Sequence, residues 1–307
     1  MPALLRSLVA LALALPFSAL PGPLSAQSVA PAEQRRTLRV EGVERSYFLY
    51  VPAGHQGTGS PALVLVFHGA GGRAQGFARH TGFSAVAERE GFVVAYPQGL
   101  ERQWNDGRGN GTPHDDVGFV RVLLDTLERE LSIDRRRVYA TGISNGAMFA
   151  YRLACDLPGV FAAVAPVAGA MPTNLATGCA HTEPVSVLAF QGTADPLMPY
   201  AGGGVAGRRG RVLSAEQSVN FWGRVSGCGP QVTVVEEPDR VSDGTRVRHT
   251  DFAECRERRA VELYTIEGGG HTWPGGPPVG RLVGRVSREL DATALIWEFF
   301  AQHARSQ

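Results

Sequence analysis

The sequence predicts an α/β fold: a mainly parallel, doubly wound sheet with an antiparallel N-terminal edge. Three observations predict it. Residues 61–67, Pro-Ala-Leu-Val-Leu-Val-Phe, form a nearly unbroken apolar run, the pattern of a strand covered on both faces. Beyond it, short apolar runs alternate with amphipathic stretches, as successive βαβ units require. Finally, 307 residues that are 44% hydrophobic and 19% charged fit one large core better than a core plus a sizeable second domain.

Taken in order, residues 1–26 carry Arg6, an apolar run over 8–15 and the small-residue site Leu24-Ser25-Ala26. This reads as a secretory signal peptide, leaving 27–307 as the folded domain, exported to the periplasm or the medium. The run is too short to span a bilayer, and no later segment approaches the ~20 apolar residues of a membrane helix, so no membrane partner is expected after cleavage.

Residues 37–41 and 47–51 read as two strands joined at a turn around Gly42, the antiparallel edge. After the 61–67 strand come a helix over 80–90, a strand over 92–96 and a helix over 116–131. In that last helix Val120, Leu123, Leu124, Leu127 and Leu131 fall on one stripe. A strand over 137–141, a helix over 145–155 and strands over 161–167 and 185–190 follow. Ser214 and Gln217 have the spacing of a capping box, which starts a helix over 214–225. Strands over 232–236 and 260–266 and a helix over 291–303 complete the chain, with 202–210 and 275–284 as surface loops.

The formal net charge of +1 gives no footprint for nucleic acid. All 30 basic residues are arginines. The absence of lysine excludes a P-loop, a Schiff-base lysine and a serine/lysine dyad. Four cysteines, Cys155, Cys179, Cys228 and Cys255, suit an exported protein with two disulfides. Three connectivities are open; pairing neighbours, Cys155 with Cys179 and Cys228 with Cys255, closes the shortest loops. No C-x-x-C spacing exists, so no structural zinc is expected.

The chemistry centres on Gly142-Ile143-Ser144-Asn145-Gly146, directly after a strand and directly before a helix. Glycines flanking a serine at such a turn let strand and helix approach closely while the hydroxyl stands at the tip, the nucleophile elbow of the α/β-hydrolase fold. A serine hydroxyl is a weak nucleophile and needs an imidazole base and an acid to orient it, which follow in the order acid, then histidine. Of the eight histidines, only His181, His249, His271 and His303 lie after Ser144. His181 precedes the acid, His303 lies in the final helix, and His249 sits in an alternating, strand-like run where a solvent-facing position is expected. His271, in Gly268-Gly-Gly-His-Thr-Trp-Pro274, lies just past a strand and before the last helix, and is the expected base. Asp195, just beyond the strand over 185–190, is the expected acid, with Asp251 and Glu267 as weaker alternatives. Acyl transfer also needs donors for the oxyanion, here the backbone N–H groups of Asn145 and of Ala70 in Phe67-His-Gly-Ala-Gly-Gly72. His68 is expected to brace that loop. Trp104 and Trp273 are candidate substrate contacts.

With Phe67-His-Gly-Ala-Gly-Gly72, Tyr96-Pro-Gln-Gly99, Gly142-Ile-Ser-Asn-Gly-Ala-Met148, Gly192-Thr-Ala-Asp195 and Gly270-His-Thr-Trp-Pro-Gly275 in register, the chain resembles the polyhydroxybutyrate depolymerase and secreted feruloyl esterase family. The resemblance covers nearly all of 27–307 and implies a cofactor-free, metal-free serine esterase with Ser144, Asp195 and His271 as its triad. It implies 3-hydroxybutyrate polyesters or oligomers as substrate, with feruloyl or acetylxylan esters as the alternative. No residues remain for a separate polymer-binding domain, which favours soluble esters. A peptidase and a silent binding protein on the same scaffold are the rival readings.

Overall fold

Burial on both faces is what turns the apolar runs into a central sheet. In the computed structural model, which describes residues 33–55, 59–109, 113–179 and 182–305, the chain begins with β1 (Gln34–Val40) and β2 (Val43–Tyr50), a hairpin turning at Gly42. Next come β3 (Leu63–Phe67), α1 (Ala74–Thr81), α2 (Phe83–Glu90), β4 (Val93–Pro97), α3 (Asp116–Leu131) and β5 (Val138–Ile143). They are followed by α4 (Asn145–Asp156), β6 (Ala163–Val167), α5 (Thr173–Gly178) and β7 (Ser186–Gly192). The last part holds the short pair β8 (Gly203–Gly204) and β9 (Arg211–Val212), then α6 (Ala215–Val225), β10 (Val232–Glu236), β11 (Arg246–Phe252), β12 (Val261–Glu267) and α7 (Ala292–Gln302).

Ten strands form one sheet in the order β1-β2-β4-β3-β5-β6-β7-β12-β11-β10, parallel from β4 to β12 and antiparallel at both ends. This is the α/β-hydrolase arrangement expected, with one addition: a second antiparallel edge. β10 is exposed along its whole length and β11 shields the parallel strands from solvent on that side.

Each central strand sends alternate side chains to two separate cores. Leu63, Leu65 and Phe67 join Val93 and Ala95 on the face covered by α3, α4 and α6, where Trp104, Phe149 and Trp222 are buried. Val64 and Val66 join Val94 and Tyr96 on the other face, under α1, α2 and α7 with Phe83, Trp273 and Phe300. The stripe expected on α3 is buried at Val120, Leu123 and Leu127, while Leu124 and Leu131 pack at its margin. The single helix expected over 80–90 is instead α1 and α2, broken at Gly82, whose φ of 69° caps one helix and starts the next. Ser214 and Gln217 form the reciprocal capping box of α6.

A buried pair fixes the entry to α3. Arg45 on β2 donates to Asp116 Oδ1 at 2.6 Å and lies over the Phe119 ring, while Asp116 Oδ2 accepts from Asn105 N at 2.7 Å. The loop before α3 is thereby tied to the sheet. Disulfides join Cys155 on α4 to Cys179 at the end of α5, and Cys228 after α6 to Cys255 after β11, the expected pairing. The expected export signal over 1–26 and His181 lie outside the described residues. No described helix is long and apolar enough to cross a membrane.

Candidate active site

Ser144 stands where β5 turns into α4. Its backbone takes φ 58° and ψ −118°, a conformation that costs an L-residue on the order of 1–3 kcal/mol and so needs surrounding contacts to hold it. Those contacts follow from two missing side chains. A Cβ at Gly142 would lie 2.5 Å from the Phe67 carbonyl oxygen, and one at Gly146 would meet both that oxygen and the His68 carbonyl. Glycine at both positions lets the start of α4 press against the end of β3. The turn is closed by Ser144 N donating to Val167 O and Met148 N to Ser144 O, each at 3.0 Å. The hydroxyl itself makes no hydrogen bond with any described residue.

The second half of the site comes from loops after β7 and β12. They meet because Gly192 carries no Cβ: one there would collide with the Gly269 backbone. Asp195 Oδ1 accepts from the amides of Leu197 and Met198, both at 2.8 Å, which leaves Oδ2 directed at His271. His271 Nδ1 donates to that oxygen at 2.8 Å, with the carboxylate side chain wholly buried and the imidazole nearly so. Nδ1 therefore carries the proton and Nε2 is left as an acceptor with no partner among the described residues. Gln191 Nε2 donates to Met198 O at 3.1 Å and so holds the turn that supplies the two amides. Asp251 and Glu267 are elsewhere: Asp251 faces Glu262 across the β11–β12 pair, and Glu267 accepts from Arg248 at 3.1 Å.

Facing the serine is the loop after β3. A Cβ at Gly69 would be 3.4 Å from Ser144 Cβ, so this loop lies against the elbow. It is pinned by Gly71 N donating to Arg102 O at 2.8 Å and Gly72 N to Gly69 O at 2.9 Å. The amides of Ala70, next to Gly69, and of Asn145, next to Ser144, donate to no described residue.

His68 braces the loop as expected. Gly99 N donates to its Nε2 at 3.1 Å and Gln98 Nε2 approaches at 3.0 Å, so Nδ1 carries the proton and donates to Gly69 O at 2.8 Å. Burial pushes this imidazole down to about 4, keeping it neutral. Gln98 Oε1 also accepts from Ala74 N at 2.9 Å, linking the start of α1 to the same network.

Three expectations require correction. Trp104 is 0% exposed and Trp273 is 1% exposed, so neither indole contacts substrate. Trp104 stacks on Phe149 and donates from Nε1 to His68 O at 2.9 Å, supporting the loop from below. Trp273 packs edge-on against Phe77 and Phe83 and donates to Thr293 Oγ1 at 3.0 Å. His249 is likewise not simply solvent-facing: it is half-buried, bonded to Glu262 at 2.9 Å and stacked on Tyr264.

The side chain of Asn145 does work that sequence reasoning missed. It accepts from Trp104 N at 2.8 Å and donates to Trp104 O at 2.9 Å and to Asp106 Oδ2 at 2.6 Å. Asp106 is in turn held by Arg108, at 2.7 Å, so the residue that offers a free amide is clamped by its own carboxamide to the loop before α3. Nothing in the local text marks this, because the partners are some 40 positions apart. Among the described residues no three His, Cys, Asp or Glu side chains gather into a metal-ligating set.

Comparison with known proteins shows the family of the chain. A protein designated an esterase, NocK of Nocardia uniformis subsp. tsuyamanensis, is 32% identical and the match spans 92% of this chain and 90% of that protein. Feruloyl esterase C of Emericella nidulans is 31% identical, with 83% of each chain covered. Among solved structures, an acetyl xylan esterase from Aspergillus awamori superposes with a TM-score of 0.60 over 88% of this chain and 99% of its own, at 16% identity, which shows a shared fold. The family model described as Esterase PHB depolymerase matches residues 45–196, the stretch from β2 through the elbow to Asp195. The chain belongs to this esterase family.

Proposed function

We propose that the protein is an exported serine esterase in which His271 removes the Ser144 proton as the hydroxyl attacks an ester carbonyl. The developing oxyanion is held by the amides of Ala70 and Asn145. His271 hands its proton to the departing alcohol, then activates water to release the acyl group. Asp195 fixes the imidazole tautomer and stabilises its charged form.

One observation carries this reading. The Asp195 carboxylate, locked by two amides, takes the His271 Nδ1–H at 2.8 Å and leaves Nε2 as an acceptor, while the Ser144 hydroxyl and two nearby amides are unengaged. Ser144 Oγ and His271 Nε2 share no hydrogen bond among the described residues; catalytic hydrogen bonds are often long in enzymes without substrate. Two disulfides support the export reading, since such bonds persist in oxidising compartments.

For substrate, the feruloyl esterase relatives support soluble hydroxycinnamoyl esters. The family description supports a second reading, 3-hydroxybutyrate oligomers. Purified protein assayed side by side on methyl ferulate, acetylated xylan and 3-hydroxybutyrate oligomers separates them. Ser144→Ala is expected to lower turnover of p-nitrophenyl acetate by about 10⁴-fold or more with the fold intact. An unchanged rate would refute the assignment. Faster cleavage of a matched amide than of the ester would make the protein a peptidase.

A further inference from the structure

The most exposed large apolar side chain among the described residues is Leu282, at 93%, and Val279 nearby is 48% exposed. Isolated surface leucines are ordinary and carry no message. The position of this one is not ordinary, because the segment that holds it is built into the site.

Residues 277–284 form a strap whose C-terminal end lies on the loop carrying His271. Val283 O accepts the His271 N–H at 2.6 Å, Gly270 N donates to Arg285 O at 2.9 Å, and Thr272 Oγ1 donates to the same carbonyl at 3.0 Å. Gly270 and Gly284 touch so closely that a Cβ on Gly270 would lie 2.5 Å from Gly284 Cα, and Gly284 also approaches the Ala194 carbonyl beside Asp195. Leu282 is thus adjacent in the chain to the carbonyl that accepts the His271 N–H, on a segment hydrogen-bonded to the His271 loop.

We infer that Leu282 is a specificity-determining contact for the alcohol portion of the ester, and that the preferred alcohol is apolar. This rests on the esterase reading above. In that mechanism the oxyanion lies toward Ala70 and Asn145, and His271 must deliver its proton to the leaving oxygen. The alcohol portion therefore departs past the His271 loop, where Leu282 is the apolar side chain held out. A polyhydroxylated alcohol laid against it would leave hydroxyls without partners, whereas an alkyl group would bury both surfaces.

The test uses the folded enzyme and two ester series. Methyl, butyl and hexyl acetate vary the alcohol, and methyl acetate, butyrate and hexanoate vary the acyl group. All three acetates give the same acetyl-enzyme, so kcat/KM differences among them report acylation alone. Wild-type kcat/KM is expected to rise with alcohol length, by up to about fourfold for each methylene fully covered. Leu282→Ser should remove most of that rise, with about a tenfold loss on hexyl acetate, while methyl acetate and the acyl series stay within twofold of wild type. Leu282→Met should restore it. Equal losses in both series, or no change in either, would overturn the inference. Absence of turnover and of fluorophosphonate labelling in the wild type would overturn the esterase reading, and this inference with it.

Discussion

Replacing Asn145 by alanine tests whether its carboxamide holds the site together. The change removes a buried acceptor for Trp104 N and a donor to Trp104 O, both on a residue with no solvent access. Asp106 keeps its Arg108 partner, so the cost falls on the two orphaned backbone groups. Each buried group without a partner costs about 1–3 kcal/mol, giving roughly 4 kcal/mol in total. For a chain of this size that corresponds to a fall in Tm of about 8 °C, read by differential scanning calorimetry with the disulfides oxidised. Asn145→Asp puts a charge at the same position. The new carboxylate keeps the acceptor for Trp104 N but replaces the donor that now faces Asp106 Oδ2 at 2.6 Å, setting like charges against each other. This variant should be less stable than Asn145→Ala near pH 7 and regain part of the loss in acid, where a shared proton can bridge the two oxygens. A Tm loss below about 2 °C for the alanine variant, or no pH response for the aspartate variant, would refute the account.

Other expectations follow from the same contacts. The His68 imidazole is at about 4 in the fold and near 6.5 in an unfolded chain, so between those values the unfolded state binds more protons. Its stabilisation is complete above pH 6.5 and is lost as pH falls through 4, about 3 kcal/mol in all; His68→Gln should flatten the acid limb of a urea-stability profile, and an unchanged profile would refute it. Gly146→Ala drives a Cβ into the Phe67 and His68 carbonyls and should cost about 1–3 kcal/mol and lower kcat by about 10²-fold, with little change in KM. Trp273→Phe deletes the donor to Thr293 and should destabilise by about 1–2 kcal/mol without changing KM for any ester; a raised KM would reinstate Trp273 as a substrate contact.

Some of this architecture can be read from the text and some cannot, for physical reasons. The 61–67 run and the glycines at 142 and 146 are local signals: a strand buried on both faces must be continuously apolar, and a close strand–helix approach must lack side chains. Asp195 and His271 are likewise marked by lying just past strand ends, where loops meet at the carboxyl rim. β10 is legible as the strand over 232–236, but the second antiparallel edge is not, because it depends on β11 pairing between β10 and β12, a match between separate segments that no local pattern specifies. Trp273 lies two positions from His271, yet its indole is turned into the core beneath α1 and α2, a direction that adjacency in sequence does not give. The Asn145 clamp, the Gln98 link and the Val283 strap depend on residues distant in the chain, and only the folded backbone brings them together.

If Ser144 is the activated hydroxyl, it is the residue that a fluorophosphonate modifies. Intact protein treated with a fluorophosphonate and then digested should carry one adduct, on the peptide containing Ser144, and His271→Ala should slow its formation by orders of magnitude at pH 7. An adduct on another residue, or none while ester turnover continues, would contradict the account.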